Sequence, residues 1–237
     1  MELFKKNFKI SASIIIAICL LVLLIGSLIV YWRMDSPNSK WGVLFGSIAS
    51  GLIVAIIQFI IAWQDYKQTE KVMEIRLIEV LINRAKRDKY EKFIRNTNSY
   101  LDVMGVTASR FFNDFADTSK GAPTNATVLI QALDRGVHVR VLLPSEGYLP
   151  DPKKAESEKV RIKYEELKLK YDNIEIKYFD HTAAHSIFRM DDTCIVGPVF
   201  PELESRNTPA LHLMSSSPFA SNYIEYFETE WRKAQVQ

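Results

Sequence analysis

The sequence predicts two membrane-spanning helices followed by an α/β domain, and three observations carry that reading. Residues 10–32 and 41–64 contain no Asp, Glu, Lys, Arg or His. Of the charged residues, only seven lie in residues 1–64: Lys5, Lys6, Lys9, Arg33, Lys40, Glu2 and Asp35. Beyond residue 96, short runs with period-two alternation are separated by stretches with helical spacing. The composition, 48% hydrophobic and 11% aromatic with 9 Gly and 9 Pro, excludes a disordered chain. Cys19 and Cys194 make no disulfide framework and cannot alone build a four-ligand zinc site, which fits a reducing compartment.

The two uncharged stretches are long enough, at ~1.5 Å per residue, to cross a hydrocarbon core of ~30 Å. Both should be helical, because lipid satisfies no bare backbone groups. Residues 33–40 form a short polar turn, so residues 1–64 read as a hairpin with Trp32, Trp41 and Trp63 at its interfaces. A cleaved signal peptide would have a shorter apolar core and a small-residue cleavage site. Lys5, Lys6 and Lys9 before the hairpin and Lys67, Lys71 and Arg76 after it place both termini in the cytoplasm. The expected location is the inner (plasma) membrane, with membrane lipid as a partner. The second span carries two small-residue ladders, Gly42/Gly46/Ser50 and Ser47/Gly51/Ala55. They suit packing within the hairpin or between protomers, making a homo-oligomer.

Residues 65–95 read as a helical connector continuing the second span, since no Gly or Pro falls between Leu52 and Asn96. Val72, Ile75, Ile78, Ile82 and Ala85 make one apolar stripe, and Met73, Leu77, Val80 and Leu81 another. That surface needs covering by the downstream domain or by another copy. Arg84, Lys86, Arg87, Lys89, Lys92 and Arg95 read as a solvated helix face.

Residues 96–237 read as a cytosolic α/β domain with a mainly parallel or mixed sheet. Strands are expected within 99–107, 137–143, 174–178, 186–191, 193–196 and 211–214. Ser109 is placed to cap a short helix holding Phe111, Phe112 and Phe115. Helices are also expected over 124–135, stopped by Gly136, and around Val160, Tyr164, Leu167 and Tyr171. Ser217-Pro218 opens a last helix burying Phe219, Tyr223, Phe227 and Trp231. With 16 basic against 20 acidic residues after position 95, the domain lacks the basic signature of a nucleic-acid binder. The pair His181 and His185 lacks the carboxylate or Cys that would complete a metal set, so neither metal nor cofactor is expected.

Two segments carry a resemblance. Residues 132–144, Ala-Leu-Asp-Arg-Gly-Val-His-Val-Arg-Val-Leu-Leu-Pro, resemble the helix–strand unit of the phospholipase D-like superfamily. So does His185-Ser-Ile-Phe-Arg-Met-Asp-Asp192, followed by Ile195-Val196-Gly197. The family motif is His-x-Lys-x-x-x-x-Asp, usually followed by Gly-Ser. The resemblance implies His185 as phosphoryl-accepting nucleophile and Asp192 as its motif partner. Position 187, where the family has the phosphate-binding Lys, holds Ile, and Pro198 follows Gly197. Aligning on Gly197 instead sets His185 at the Lys position. An apolar Ile187 cannot neutralise a phosphate. Active members also need two facing motifs, so activity here would require a homodimer. The domain therefore resembles the degenerate, ligand-sensing or scaffold type. His185, Arg189, Arg206, His212 and Ser109 are the expected contacts for a nucleotide or other anionic small molecule, with signalling through the hairpin. The alternatives are a membrane-anchored phosphodiesterase using His185 and a non-catalytic scaffold.

Overall fold

The computed structural model describes residues 2–33 and 39–235, the side chains of residues 2–11 and of Lys71 excepted. The expected polar turn at 34–38 and the roles given to Lys5, Lys6, Lys9 and the Lys71 side chain lie outside the described residues. Two compact units divide between Lys71 and Val72.

The first unit is a pair of helices, α1 (Glu2–Trp32) and α2 (Lys40–Glu74). The segment Ala12–Trp32 of α1 and α2 itself are long and apolar enough to cross a membrane. Within this unit Gly42 and Ala49 are buried. A Cβ on Gly46 would come 3.5 Å from the Tyr31 ring. The Gly42/Gly46 ladder thus packs inside the helix pair, with Ala49 in place of the exposed Ser50. Of the other ladder, Ser47 and Gly51 are exposed and Ala55 is half-buried.

The second unit is a seven-stranded mixed sheet flanked by helices. Its strands are β1 (Leu77–Leu81), β2 (Tyr100–Met104), β3 (His138–Pro144), β4 (Ile174–Phe179), β5 (His185–Met190), β6 (Thr193–Pro198) and β7 (Ala210–Met214). Their order is β1-β7-β6-β5-β2-β3-β4. β2, β3 and β4 are parallel, and the remaining neighbours are antiparallel. One face packs on α3 (Arg87–Asn96), α4 (Ser109–Phe115), α5 (Val128–Asp134) and α6 (Asp151–Lys168), with Phe111, Phe112, Phe115, Val160 and Leu167 in its core. The other face, with Leu142, Ile187, Val196 and Leu213, packs on α7 (Pro218–Lys233) through Ala220, Phe227 and Trp231. Gly136, with φ of +85°, stops α5 in the left-handed conformation that glycine adopts without steric cost. At α7 the Ser217 hydroxyl accepts hydrogen bonds from the amides of Phe219 and Ala220.

Four expectations need correction. The continuous helical connector over 65–95 ends at Glu74, and Arg76, with φ of 48°, turns the chain into β1. Ile78, Val80 and Ile82 recur at period two, and pairing with β7 satisfies the backbone while Leu77 and Leu81 pack inward. β1 and α3 therefore belong to the α/β unit, whose boundary lies before residue 96. Ser109 does not cap α4: it is the first helical residue, and Ala108, in the left-handed region, precedes it without a side-chain cap. Phe219 is not buried by α7: it lies exposed in that helix's first turn.

Candidate functional site

β2, β3 and β4 run parallel, so their carboxyl ends share one edge of the sheet. β6 and β1 end there too, and β5 and β7 begin there. Open α/β sheets characteristically hold ligands at that edge. A cavity of about 790 Å³ opens there, walled by the Gly105–Ser109 turn after β2, α4, α6 and the 199–208 connection between β6 and β7. Phe111, Phe188 and Ile195 make its apolar floor.

Its charged groups are mostly basic: Arg84, Arg87, Arg110, Lys153, Lys159 and Arg206 against Asp114, Glu156 and Glu204. Most of them are paired. Arg110 lies 3.8 Å from Asp114, Lys153 2.9 Å from Glu156, and Arg206 pairs with Glu204. Arg84 differs. It is 6% exposed and meets no carboxylate among the described residues. Its Nε donates to the Ser205 carbonyl at 3.0 Å, and its Nη2 donates to the Thr208 hydroxyl and the Pro198 carbonyl. Its amide donates to the Arg206 carbonyl at 2.8 Å, so one residue ties the end of β1 to the cavity rim. Burial, with Arg110 adding repulsion, holds the Arg84 guanidinium below its ordinary pKa. Burial also pushes the neighbouring Tyr90 phenol up to about 12, so it stays a neutral donor.

The opposite wall is hydroxylic. Thr107 and Ser109 both donate to the Glu156 carboxylate, at 3.4 and 3.2 Å. Although burial opposes it, Lys153 and these hydroxyls keep Glu156 below the ordinary carboxylate range.

The structure brings together only part of the expected site. Ser109 and Arg206 line the cavity. His185 sits on the α7 face, edge-on to Tyr223 and Tyr226 with centroids at 5.3 and 5.4 Å. Asp192 lies in the turn at the far end of the β5–β6 hairpin, about 20 Å of strand away. It is Asp191 whose carboxylate accepts the amides of Asn98, Ser99 and Tyr100. Arg189 does not turn to Asp191 or Asp192. It stacks on Tyr100 and shares Asp102 and Glu228 with Arg140. Asp102 is fully buried, and Arg140 holds it at 2.7 Å and Glu228 at 2.7 Å. Burial alone would lower the Arg140 pKa; the two carboxylates more than reverse that and raise it. The network pins α7 to the sheet, so Arg189 is spent on structure. His212 is buried on the opposite face against Phe93, with neither ring nitrogen hydrogen-bonded. His185, Arg189 and His212 therefore do not converge with Arg206 and Ser109. Sequence reasoning missed Arg84, because reading 65–95 as one helix turned it toward solvent, and missed Thr107, Arg110 and Glu156, which only the packing of the turn after β2, α4 and α6 brings together. The period-two run 78/80/82 was the signal for the strand that places Arg84 at the cavity.

No family model matches the chain, and no curated protein matches it. Among solved structures, Nuc from Salmonella typhimurium, a phospholipase D family member, is 14% identical over 67% of this chain and 97% of its own, with a TM-score of 0.42. NucT from Helicobacter pylori is 11% identical over 67% and 98%, with a TM-score of 0.45. TrmBL2, an archaeal chromatin protein, is 15% identical over 86% and 72%, with a TM-score of 0.43.

Proposed function

We propose that this chain is a membrane-anchored sensor whose degenerate phospholipase D-like domain binds a small phosphate-bearing molecule in the carboxyl-edge cavity. The observation that carries the reading is Arg84, a buried guanidinium on the cavity wall with no carboxylate partner. Burying an uncompensated charge is costly, and an anion entering the cavity would relieve that cost. The resembling segments support the phospholipase D-like assignment: residues 132–144 fold as the end of α5 followed by β3, and 185–198 as the β5–β6 hairpin. Binding is favoured over hydrolysis because an apolar, buried Ile187 stands where the motif has its phosphate-binding Lys and Arg189 is engaged elsewhere. Two helices long and apolar enough to cross a membrane support the anchor. Both termini would then face the cytoplasm, and ligand-dependent clustering of the hairpin would carry the signal. A ligand can drive that only by binding the clustered state more tightly.

The test is thermal unfolding of the full chain in detergent with inorganic phosphate, AMP and glycerol 3-phosphate. At a hundred-fold excess over Kd, ligand linkage stabilises the folded state by about 2.7 kcal/mol. We expect at least one probe to raise the midpoint, and Arg206→Ala to weaken the effect. No shift with any probe counts against the reading. Hydrolysis of a generic phosphodiester that disappears in His185→Ala would replace it with the phosphodiesterase.

A further inference from the structure

The carboxyl-edge cavity has two chemically different ends. At the end where β6 and β7 meet it, three arginines converge. The Arg84 guanidinium reaches the Pro198 carbonyl, Arg110 donates to the Arg84 carbonyl at 3.3 Å, and Arg87 donates to the Asp114 carbonyl at 2.7 Å. Among the described residues, Asp114 is the one carboxylate that pairs with any of the three, at 3.8 Å from Arg110. At the end above β2 and β3, Glu156 faces the turn after β2. A carboxylate offers about four acceptor places. Lys153, Thr107 and Ser109 fill three, and the Glu156 side chain is 40% exposed, so one place is open to the cavity. Tyr148 lines the same end, in the single turn Glu146–Tyr148 between β3 and α6. It is 44% exposed, and its ring packs on no other ring among the described residues.

Resting on the phosphate-binding reading of this cavity, we propose that its ligand is a nucleoside monophosphate. The phosphate lies among Arg84, Arg87 and Arg110, the base stacks on Tyr148, and an amino group of the base donates to Glu156. Three features select this class. The first is size: a cavity of about 790 Å³ encloses a whole small molecule, not a lone anion. The second is reach. With β5 between them, the ends of β6 and β2 lie ~9–10 Å apart by strand spacing. Glycerol 3-phosphate held at the arginines is too short to touch Glu156, and a nucleoside spans the gap. The third is polarity. Guanidinium groups hold a phosphate bidentately, while a second phosphate at the far end would meet the Glu156 carboxylate and be repelled. An alkyl phosphate has the reach but sets a methyl group against that carboxylate and leaves its acceptor unmet. A base fills the acceptor and covers the exposed Tyr148 ring, since bases stack on aromatic side chains.

Equilibrium dialysis against the full chain in detergent tests the proposal. The probes are AMP, GMP and CMP, whose bases carry an amino group, IMP and UMP, whose bases do not, and ribose 5-phosphate and decyl phosphate, which have no base. At least one amino-bearing nucleotide should bind about ten-fold or more tighter than IMP, UMP, ribose 5-phosphate and decyl phosphate, as a site built around a hydrogen bond discriminates. Glu156→Ala should bring that nucleotide down to the level of IMP and UMP. Tyr148→Ala should weaken all five nucleotides. Both variants should hold ribose 5-phosphate as the parent chain does, which a merely misfolded variant would not. Ribose 5-phosphate binding as tightly as every nucleotide leaves a phosphate site and overturns the nucleoside assignment. Decyl phosphate binding tightest, or Glu156→Ala leaving the discrimination intact, overturns it too. Binding of none of the probes overturns both the assignment and the phosphate-site reading beneath it.

Discussion

Arg84 shows how one residue's role depends on the element that carries it. On a helix it belongs to a solvated basic face; three residues beyond a strand it becomes a buried cation. Gly197 is similar. It resembles the glycine of a family motif, and the structure gives it a packing reason: a Cβ there would come 2.6 Å from the Pro209 carbonyl oxygen and 3.2 Å from the Ala210 Cα. Gly197→Ala should therefore destabilise the domain by about 1–3 kcal/mol, as overpacking does, read as a lowered denaturation midpoint. His212 gives a pH prediction. Burial, aided by Lys89 and opposed by Glu79, holds its pKa below the ordinary 6.5. The unfolded chain then binds a proton that the folded one resists, so stability should fall as pH drops below about 6.5. His212→Leu should flatten that limb in denaturation curves recorded between about pH 5 and 7. No spacing in the sequence marks His212 as buried, because its surroundings are made by β1 and α3, two elements read as one helix.

At the scale of elements, α7 was legible from Ser217-Pro218 and the aromatic spacing, and β3 and β4 from their alternation. Their cross-sheet partners were not. Asp102, Arg140 and Arg189 stand opposite one another because β2 pairs with β3 on one side and β5 on the other. That adjacency comes from topology and not from any local pattern. Removing the shared carboxylate with Asp102→Ala leaves two half-buried guanidinium groups facing Glu228 alone, and should cost about 3 kcal/mol. The measurement is the denaturant midpoint, with Glu175→Ala as a surface control that should barely move it. Arg189→Ala should likewise lower stability without weakening binding of any phosphate compound, since Arg189 does not line the cavity.

At the scale of the molecule, the sequence separated a charge-free helix pair from an α/β domain, and the structure keeps that division with the boundary moved to Lys71/Val72. The cavity could not be read the same way, because its walls come from segments more than a hundred residues apart, at one edge of the sheet. Only Ser109 and Arg206 among the expected ligand contacts reach it. Binding of a phosphate-bearing small molecule by the basic wall at this edge can be measured by equilibrium dialysis of AMP and of inorganic phosphate against the full chain, beside the Arg110→Ala/Arg206→Ala double variant. Saturable binding of at least one of them is expected, weakened at least about ten-fold, or 1.4 kcal/mol, in the variant. Equal binding by both proteins, or none by either, would contradict it.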